Sequence, residues 1–263
     1  MIQKIKFLLK AAIVTAVISL ALAACQKDKI TEEPEAPANP ANPTNPQQQR
    51  KVLVEQFTSS ACPPCATMNA WLNTLLKNNA EKVVVVKYPM DFPGTGDPYY
   101  TAEGGLRKTY YNISGVPSPF INGVFSNTEA AIRSAIDAGY AQAPEADISG
   151  TFKVEGNNIT VSGNVTPLVS GSGYKVYVVV NEKATSNNTG SNGETEFVHV
   201  MMKILPDGNG NAVTLTAGVA IPFNYTHNMS STNVEEMNDL EVAVFVQHES
   251  TKAILNAAYL NKI

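Results

Sequence analysis

The chain has 263 residues, 44% of them hydrophobic, and a formal net charge of −4 at pH 7, which is long enough for two modest domains. Its 19 basic residues form no cluster against 23 acidic ones, and this argues against nucleic acid as a partner. Low charge density with many Asn, Thr, Gly and Val residues fits a β-rich exported protein.

The first 24 residues read as a signal peptide. Lys4, Lys6 and Lys10 precede an apolar stretch from Ala11 to Ala24 that is too short for a membrane span. Leu22-Ala23-Ala24-Cys25 has the form of a bacterial lipoprotein signal, in which small residues precede a cysteine that becomes the lipid-modified N-terminus. Cys25 is therefore the expected lipid attachment point, and acyl chains there would anchor the protein to a membrane without a spanning helix. The alternative is a plain secretory signal with an incidental cysteine. From Cys25 to Arg50 the chain reads as a tether. Pro34, Pro37, Pro40, Pro43 and Pro46 fall at every third position, the repeat of a polyproline II helix, which makes a stiff spacer on the order of 60 to 75 Å long. A PxxP ligand is the competing reading of the same prolines.

A first domain is expected over residues 51–143. Lys51 to Phe57 reads as a strand and leads into Cys62-Pro63-Pro64-Cys65 at the start of an amphipathic helix. Cys65, Met68, Leu72, Leu75 and Leu76 recur on one face of it. A helix start carries unpaired N–H groups and partial positive charge, so Cys62 there ionises more readily than a free thiol. Cys65, one turn further in, is placed to close a disulfide after Cys62 has attacked. The two prolines supply no N–H to the Cys62 thiolate, which favours a reductant over a strong oxidant. A zinc site needs about four ligands, and beyond this pair the chain has Cys25 and the scattered His199, His227 and His248. No metal and no cofactor other than the Cys62–Cys65 disulfide is expected. A purely structural disulfide across two residues closes almost no loop and stabilises little.

The valine run Lys82 to Lys87 reads as a strand buried on both faces, completing a right-handed βαβ unit. Asp97-Pro98 is expected to open a second helix, with Ala102, Leu106 and Tyr110 on one face. Two short strands joined by Asn122-Gly123 follow Gly115-Val116-Pro117. Ser126 and Glu129 then suggest a capping box for a last helix with Ile132, Ile136 and Tyr140 inward.

Over residues 144–263 helical periodicity stops. Ile148 to Val154, Ile159 to Val165, Tyr174 to Asn181, Phe197 to Leu205, Ala212 to Thr216, Val219 to Tyr225, Leu240 to Gln247 and Ala253 to Tyr259 read as strands separated by turn-rich stretches. They suggest a β-sandwich. Thr185 to Glu194 reads as a long mobile loop.

The order of elements from Lys51 to Tyr140, with CxxC at the first helix start, resembles thioredoxin. That resemblance implies three roles. Val116 and Pro117 would form a cis-proline segment that presents substrate, Glu55 would be a buried acid that moves a proton to the resolving cysteine, and Lys87 would neighbour that acid. The loop before Cys62 is one residue longer than the family's, and Ala61 stands where a tryptophan is usual. The fold class expected is thus an α/β thioredoxin-like domain followed by an all-β, immunoglobulin-like sandwich. The whole plan resembles the outer membrane protein 28-related lipoproteins of the Bacteroidetes: Phe197 to Asp207 looks like their recurring C-terminal segment, and Gln26-Lys27-Asp28 resembles a surface-export signal. The resemblance implies an outer membrane lipoprotein of the cell envelope, facing the surface rather than the periplasm. Two functions compete, thiol-disulfide exchange on exported proteins that carry thiols or disulfides, and surface binding or adhesion with the first domain as a scaffold.

Overall fold

β1 (Val52–Thr58) and β2 (Val83–Pro89) lie parallel, in register from Val52 opposite Val83 to Thr58 opposite Pro89, with α1 (Pro63–Lys77) as the crossover. Every residue of both strands is buried, as a sheet covered on both faces requires. The computed structural model that gives this arrangement describes residues 48–263. The expected signal peptide, Cys25 and the tether as far as residue 47 lie outside the described residues.

Two further helices, α2 (Ala102–Tyr111) and α3 (Glu129–Tyr140), flank the short strands β3 (Ser118–Ile121) and β4 (Val124–Phe125). Asn122 and Gly123 turn that hairpin at φ 47° and 84°, the left-handed pair that a two-residue connection needs. Both helix starts differ from expectation. α2 begins five residues after Asp97, capped by Thr101, whose hydroxyl accepts from the Gly104 N–H at 3.1 Å. Thr128, not Ser126, caps α3 by accepting from the Ala131 N–H at 3.3 Å. In each case a threonine directly before the first turn holds the orphan donor.

The remaining strands are β5 (Ala146–Glu155), β6 (Asn158–Pro167), β7 (Gly171–Thr185), β8 (Phe197–Leu205), β9 (Asn211–Leu215), β10 (Ile221–Asn228), β11 (Leu240–His248), β12 (Ile254–Tyr259) and β13 (Asn261–Lys262). Their sheet membership corrects the expected fold class. A nine-stranded mixed sheet runs β12-β11-β7-β8-β2-β1-β3-β4, with β9 beside β7, and a four-stranded sheet runs β10-β6-β5-β13. β8 lies parallel to β2, with Val200 opposite Lys87. The fold is therefore not a thioredoxin-like α/β domain followed by an immunoglobulin-like sandwich. It is mostly β, and five strands of the supposed sandwich, β7, β8, β9, β11 and β12, extend the sheet that β1 and β2 begin. All described residues fall in one compact unit.

Three apolar layers hold this together. α1 and α3 cover one face of β1, β2 and β3 through Leu72, Leu76, Ile132 and Ile136 against Val52, Val54, Val83 and Val85. On the opposite face Leu53, Phe57, Val84 and Val86 share a cluster with Tyr177, Val179, Phe245 and Ile254. The long sheet curls around this cluster until β12 returns to the start of β1. There Arg50 Nη2 donates to the Ile254 carbonyl at 2.6 Å and the Lys51 N–H donates to Asn256 Oδ1 at 3.0 Å. The outer face of β7 and β11 packs on the small sheet, with Val178, Val180, Val242 and Val244 meeting Ile148, Phe152, Val161 and Phe223. Among the described residues no helix is long and apolar enough to cross a membrane.

Candidate functional site

The turn between β1 and α1 places the cysteine pair. Cys62 is the N-cap of α1 with extended backbone (φ −113°, ψ 104°), and Pro63 and Pro64 occupy the first two helical positions. Cys62 and Cys65 form a disulfide with their Cα atoms 5.3 Å apart. The prolines do remove two donors, but the third-position amide is present: the Cys65 N–H donates to Cys62 Sγ at 3.2 Å. A sulfur at an N-cap takes the place of the usual capping oxygen. Cys62 Sγ also lies 3.5 Å from the Val116 carbonyl oxygen, and the Val116–Pro117 peptide is cis. Both cysteines are buried, Cys62 at 1% exposure and Cys65 at 0%.

Glu55 is not brought to this pair. Successive residues of a strand face opposite sides, and Glu55 shares the face of Leu53 and Phe57, away from α1. Its carboxylate pairs with Arg107 and accepts from the hydroxyls of Tyr88, at 2.8 Å, and Tyr111. Arg107 in turn donates to Gln247 Oε1 at 3.0 Å and stacks on Tyr177 with its guanidinium 4.4 Å from the ring centre. A buried charge is stable when paired and hydrogen-bonded, and Glu55 has both, so its acceptor capacity serves the core.

Lys87 does face α1. It stands opposite Gln56 in the parallel register and donates through Nζ to Asn73 Oδ1. Burial pulls its ammonium down to about 8, against the attraction of Glu194, which raises it. Glu194 belongs to the loop between β7 and β8, and neither it nor its partners was expected at the site. Asn69 Nδ2 donates to both Glu194 carboxylate oxygens, at 2.8 and 3.1 Å, while Asn69 Oδ1 accepts from Gln56 Nε2 at 2.8 Å. Asn192 Nδ2 reaches Glu194 Oε2 at 2.6 Å, the Ser59 carbonyl at 3.2 Å and the Cys62 carbonyl at 3.4 Å. The Asn192 N–H donates to the Ser60 carbonyl at 3.0 Å. Gly190 lies so close that a Cβ on it would sit 2.4 Å from the Ser60 oxygen.

The Ser60 N–H donates to Asp97 Oδ2 at 2.8 Å, and burial pushes the Asp97 carboxyl up while the Tyr99 and Ser60 N–H groups hold it down. Thus Asp97, expected as a helix cap, instead holds the loop that carries Cys62, and the loop read as mobile is pinned to it. One signal for this was present in the sequence. Asn69 falls four residues after Cys65, on the apolar stripe of α1, and a polar side chain there needs a partner. Asn192 and Glu194 carry no such mark, because a polar residue in a polar loop is what solvent exposure also produces. Among the described residues no three His, Cys, Asp or Glu side chains converge as a metal site.

A disulfide at a helix start, set on a mostly β two-sheet architecture, is the class that fold and site define. No protein-family model matches the chain, and no curated protein sequence matches it. Among solved structures, a protein of Agrobacterium tumefaciens is similar over 82% of this chain and 96% of its own, at TM-score 0.56 and 20% identity. That likeness is one of fold alone, and it spans residues on both sides of position 143. A domain of the outer membrane lipoprotein Omp28 from Porphyromonas gingivalis matches 45% of this chain and 90% of its own, at TM-score 0.31 and 11% identity. A likeness at that score carries no argument about family.

Proposed function

We propose that the protein carries out thiol-disulfide exchange on exported proteins, as a lipid-anchored component of the cell envelope. The observation that carries the reading is the Cys62–Cys65 disulfide at the N-terminus of α1, with the Cys65 amide aimed at Cys62 Sγ. A thiolate at Cys62 would keep that hydrogen bond and the favourable end of the helix dipole. In the reduced protein, Cys62 Sγ attacks one sulfur of a substrate disulfide. A mixed disulfide forms and the other substrate sulfur leaves as a thiolate that takes up a proton. Cys65, deprotonated, then attacks Cys62 Sγ, closes the Cys62–Cys65 bond and releases the second substrate thiol. Two electrons pass from the pair to the substrate, and an external dithiol returns them. Run backwards, the same steps oxidise a substrate dithiol. The envelope location rests on the lipoprotein-type signal ending at Cys25, with Gln26-Lys27-Asp28 behind it pointing to the outer face of the outer membrane.

A second reading is supported by the 1% exposure of Cys62: a surface-binding lipoprotein in which the pair is a fixed cross-link. The tether-free protein should reduce a model protein disulfide in the presence of a dithiol, and Cys62→Ser should abolish this. No turnover above the dithiol alone would leave the binding reading in its place.

A further inference from the structure

One carboxylate linked to the cysteine loop, Glu194, comes from more than a hundred residues away, and its attachments are specific. Glu194 is held from two directions, by Asn69 on the buried face of α1 and by Asn192, and the same Asn192 amide touches the carbonyl of Cys62. A single side-chain amide therefore separates the Glu194 carboxylate from the backbone of the first cysteine. The charged groups around this position are few. Lys87 lies behind it on β2, and its charge is drawn toward Glu194. Asp97, which lines the same small cavity as Glu194 and Lys87, holds the Ser60 N–H. The positive end of α1 faces the same turn.

From this arrangement we infer that Asn192 and Glu194 are positioning residues of the cysteine pair: Asn192 fixes the loop that carries Cys62, and the charge of Glu194 biases the pair toward the disulfide. The inference deepens the exchange reading and rests on it for its biological meaning. The physical reason is electrostatic. The disulfide is uncharged, whereas the reduced pair places a thiolate at Cys62. A carboxylate fixed one side-chain amide away from the Cys62 backbone raises the free energy of the thiolate and leaves the disulfide untouched. Lys87 acts with the opposite sign, so removing each group should move the equilibrium in opposite directions. The balance concerned is protein disulfide plus two glutathione thiols going to protein dithiol plus glutathione disulfide. Two electrons and two protons pass to the protein.

The test is to equilibrate the full chain with glutathione buffers, trap thiols by alkylation and count the reduced fraction. Glu194→Gln keeps the shape and an oxygen acceptor but removes the charge. It should shift the equilibrium constant toward the dithiol about tenfold, which for a two-electron couple is about 30 mV. It should also lower the pH at which Cys62 of the reduced protein becomes reactive to alkylation. Lys87→Met should shift both readings the other way, and Glu194→Asp should restore most of the wild-type value. A merely structural role for Glu194 would lower the unfolding midpoint and leave the potential and the alkylation profile where they were; that result overturns the inference. Because Glu194→Gln also loses contacts, Asn192→Ser serves as a second variant that frees the Glu194 carboxylate from Cys62 while keeping its charge. Its Cys62 alkylation profile should broaden and shift, and an unchanged profile would count equally against the inference. These measurements read the pair itself. A shift in potential with no turnover on protein substrates would sink the exchange reading and leave the role of Glu194 standing.

Discussion

Lys87 carries the clearest titration signature of any described side chain near the cysteine pair. Its folded pKa of about 8 lies below the ordinary 10.5 because it is buried. Below pH 8 both folded and unfolded chains hold the proton, and the penalty of burying an ammonium is complete. Between about pH 8 and 10.5 the unfolded chain binds more protons than the folded one, so stability rises with pH across that window. Urea unfolding should show a gain of about 2 kcal/mol between pH 7 and 9.5, and Lys87→Met should remove it. A flat profile in the wild-type protein would mean that water reaches the ammonium. Staying below pH 10 matters, since the buried tyrosines Tyr88 and Tyr111 are pushed up by burial and their unfolded counterparts begin to ionise there. At this scale the sequence places Cys62 and Cys65 at a helix start and Val116-Pro117 just before a strand, but Lys87, expected beside Glu55, faces α1 and meets Asn73 instead. The sequence also misplaced Glu55. The alternation along β1 told which residues share its face, but the partners that decide its role, Arg107 and Tyr111, come from α2, and no local pattern announces them.

Elements were more legible than their ends. β6, β8 and β11 fall where strands were expected, and the Asn122-Gly123 hairpin is where its turn chemistry requires. Helix starts were less so, because several residues near each start can cap and the geometry selects one: Thr101 over Asp97, Thr128 over Ser126. The connection between β7 and β8 was misread in kind, since its composition is that of a free loop while its amides and carboxylates grip the turn before α1. Gly190 is the point at which that grip is closest. A methyl group there would meet the Ser60 carbonyl at 2.4 Å and its carbon at 2.5 Å, and backbone cannot give way as a side chain can. Gly190→Ala should therefore lower stability by about 1 to 3 kcal/mol, the usual range for overpacking. It should also open the segment between β7 and β8 to limited proteolysis. If the cleavage pattern and the urea midpoint match wild type, the loop is held by its ends and not by this contact.

At the scale of the whole molecule the sequence showed which residues are strands and not which strands are neighbours. A break in periodicity near residue 143 looks like a domain boundary, yet β8, β7, β11 and β12 carry the first sheet onward from β2. The reason for the misreading is physical: alternation reports that a face is buried, while pairing depends on edges, and the edge of β2 is joined to β8 by a register of one residue pair. A chain ending at residue 143 should therefore fail to fold, with no cooperative urea transition by circular dichroism. It would expose the edge of β2 and the face made by Leu53, Phe57, Val84 and Val86. A cooperative transition in residues 48–143 alone would show that the first half is an independent body. The β2–β8 junction also sets a schedule. Val200 is made roughly a hundred residues after Lys87, which at about 5 to 20 residues per second is on the order of 5 to 20 s of synthesis. Throughout that interval a valine-rich strand has an unclaimed edge of the kind that templates aggregation. The newly made chain is thus most vulnerable before its middle strand arrives, and whatever escorts it must hold that one edge until then.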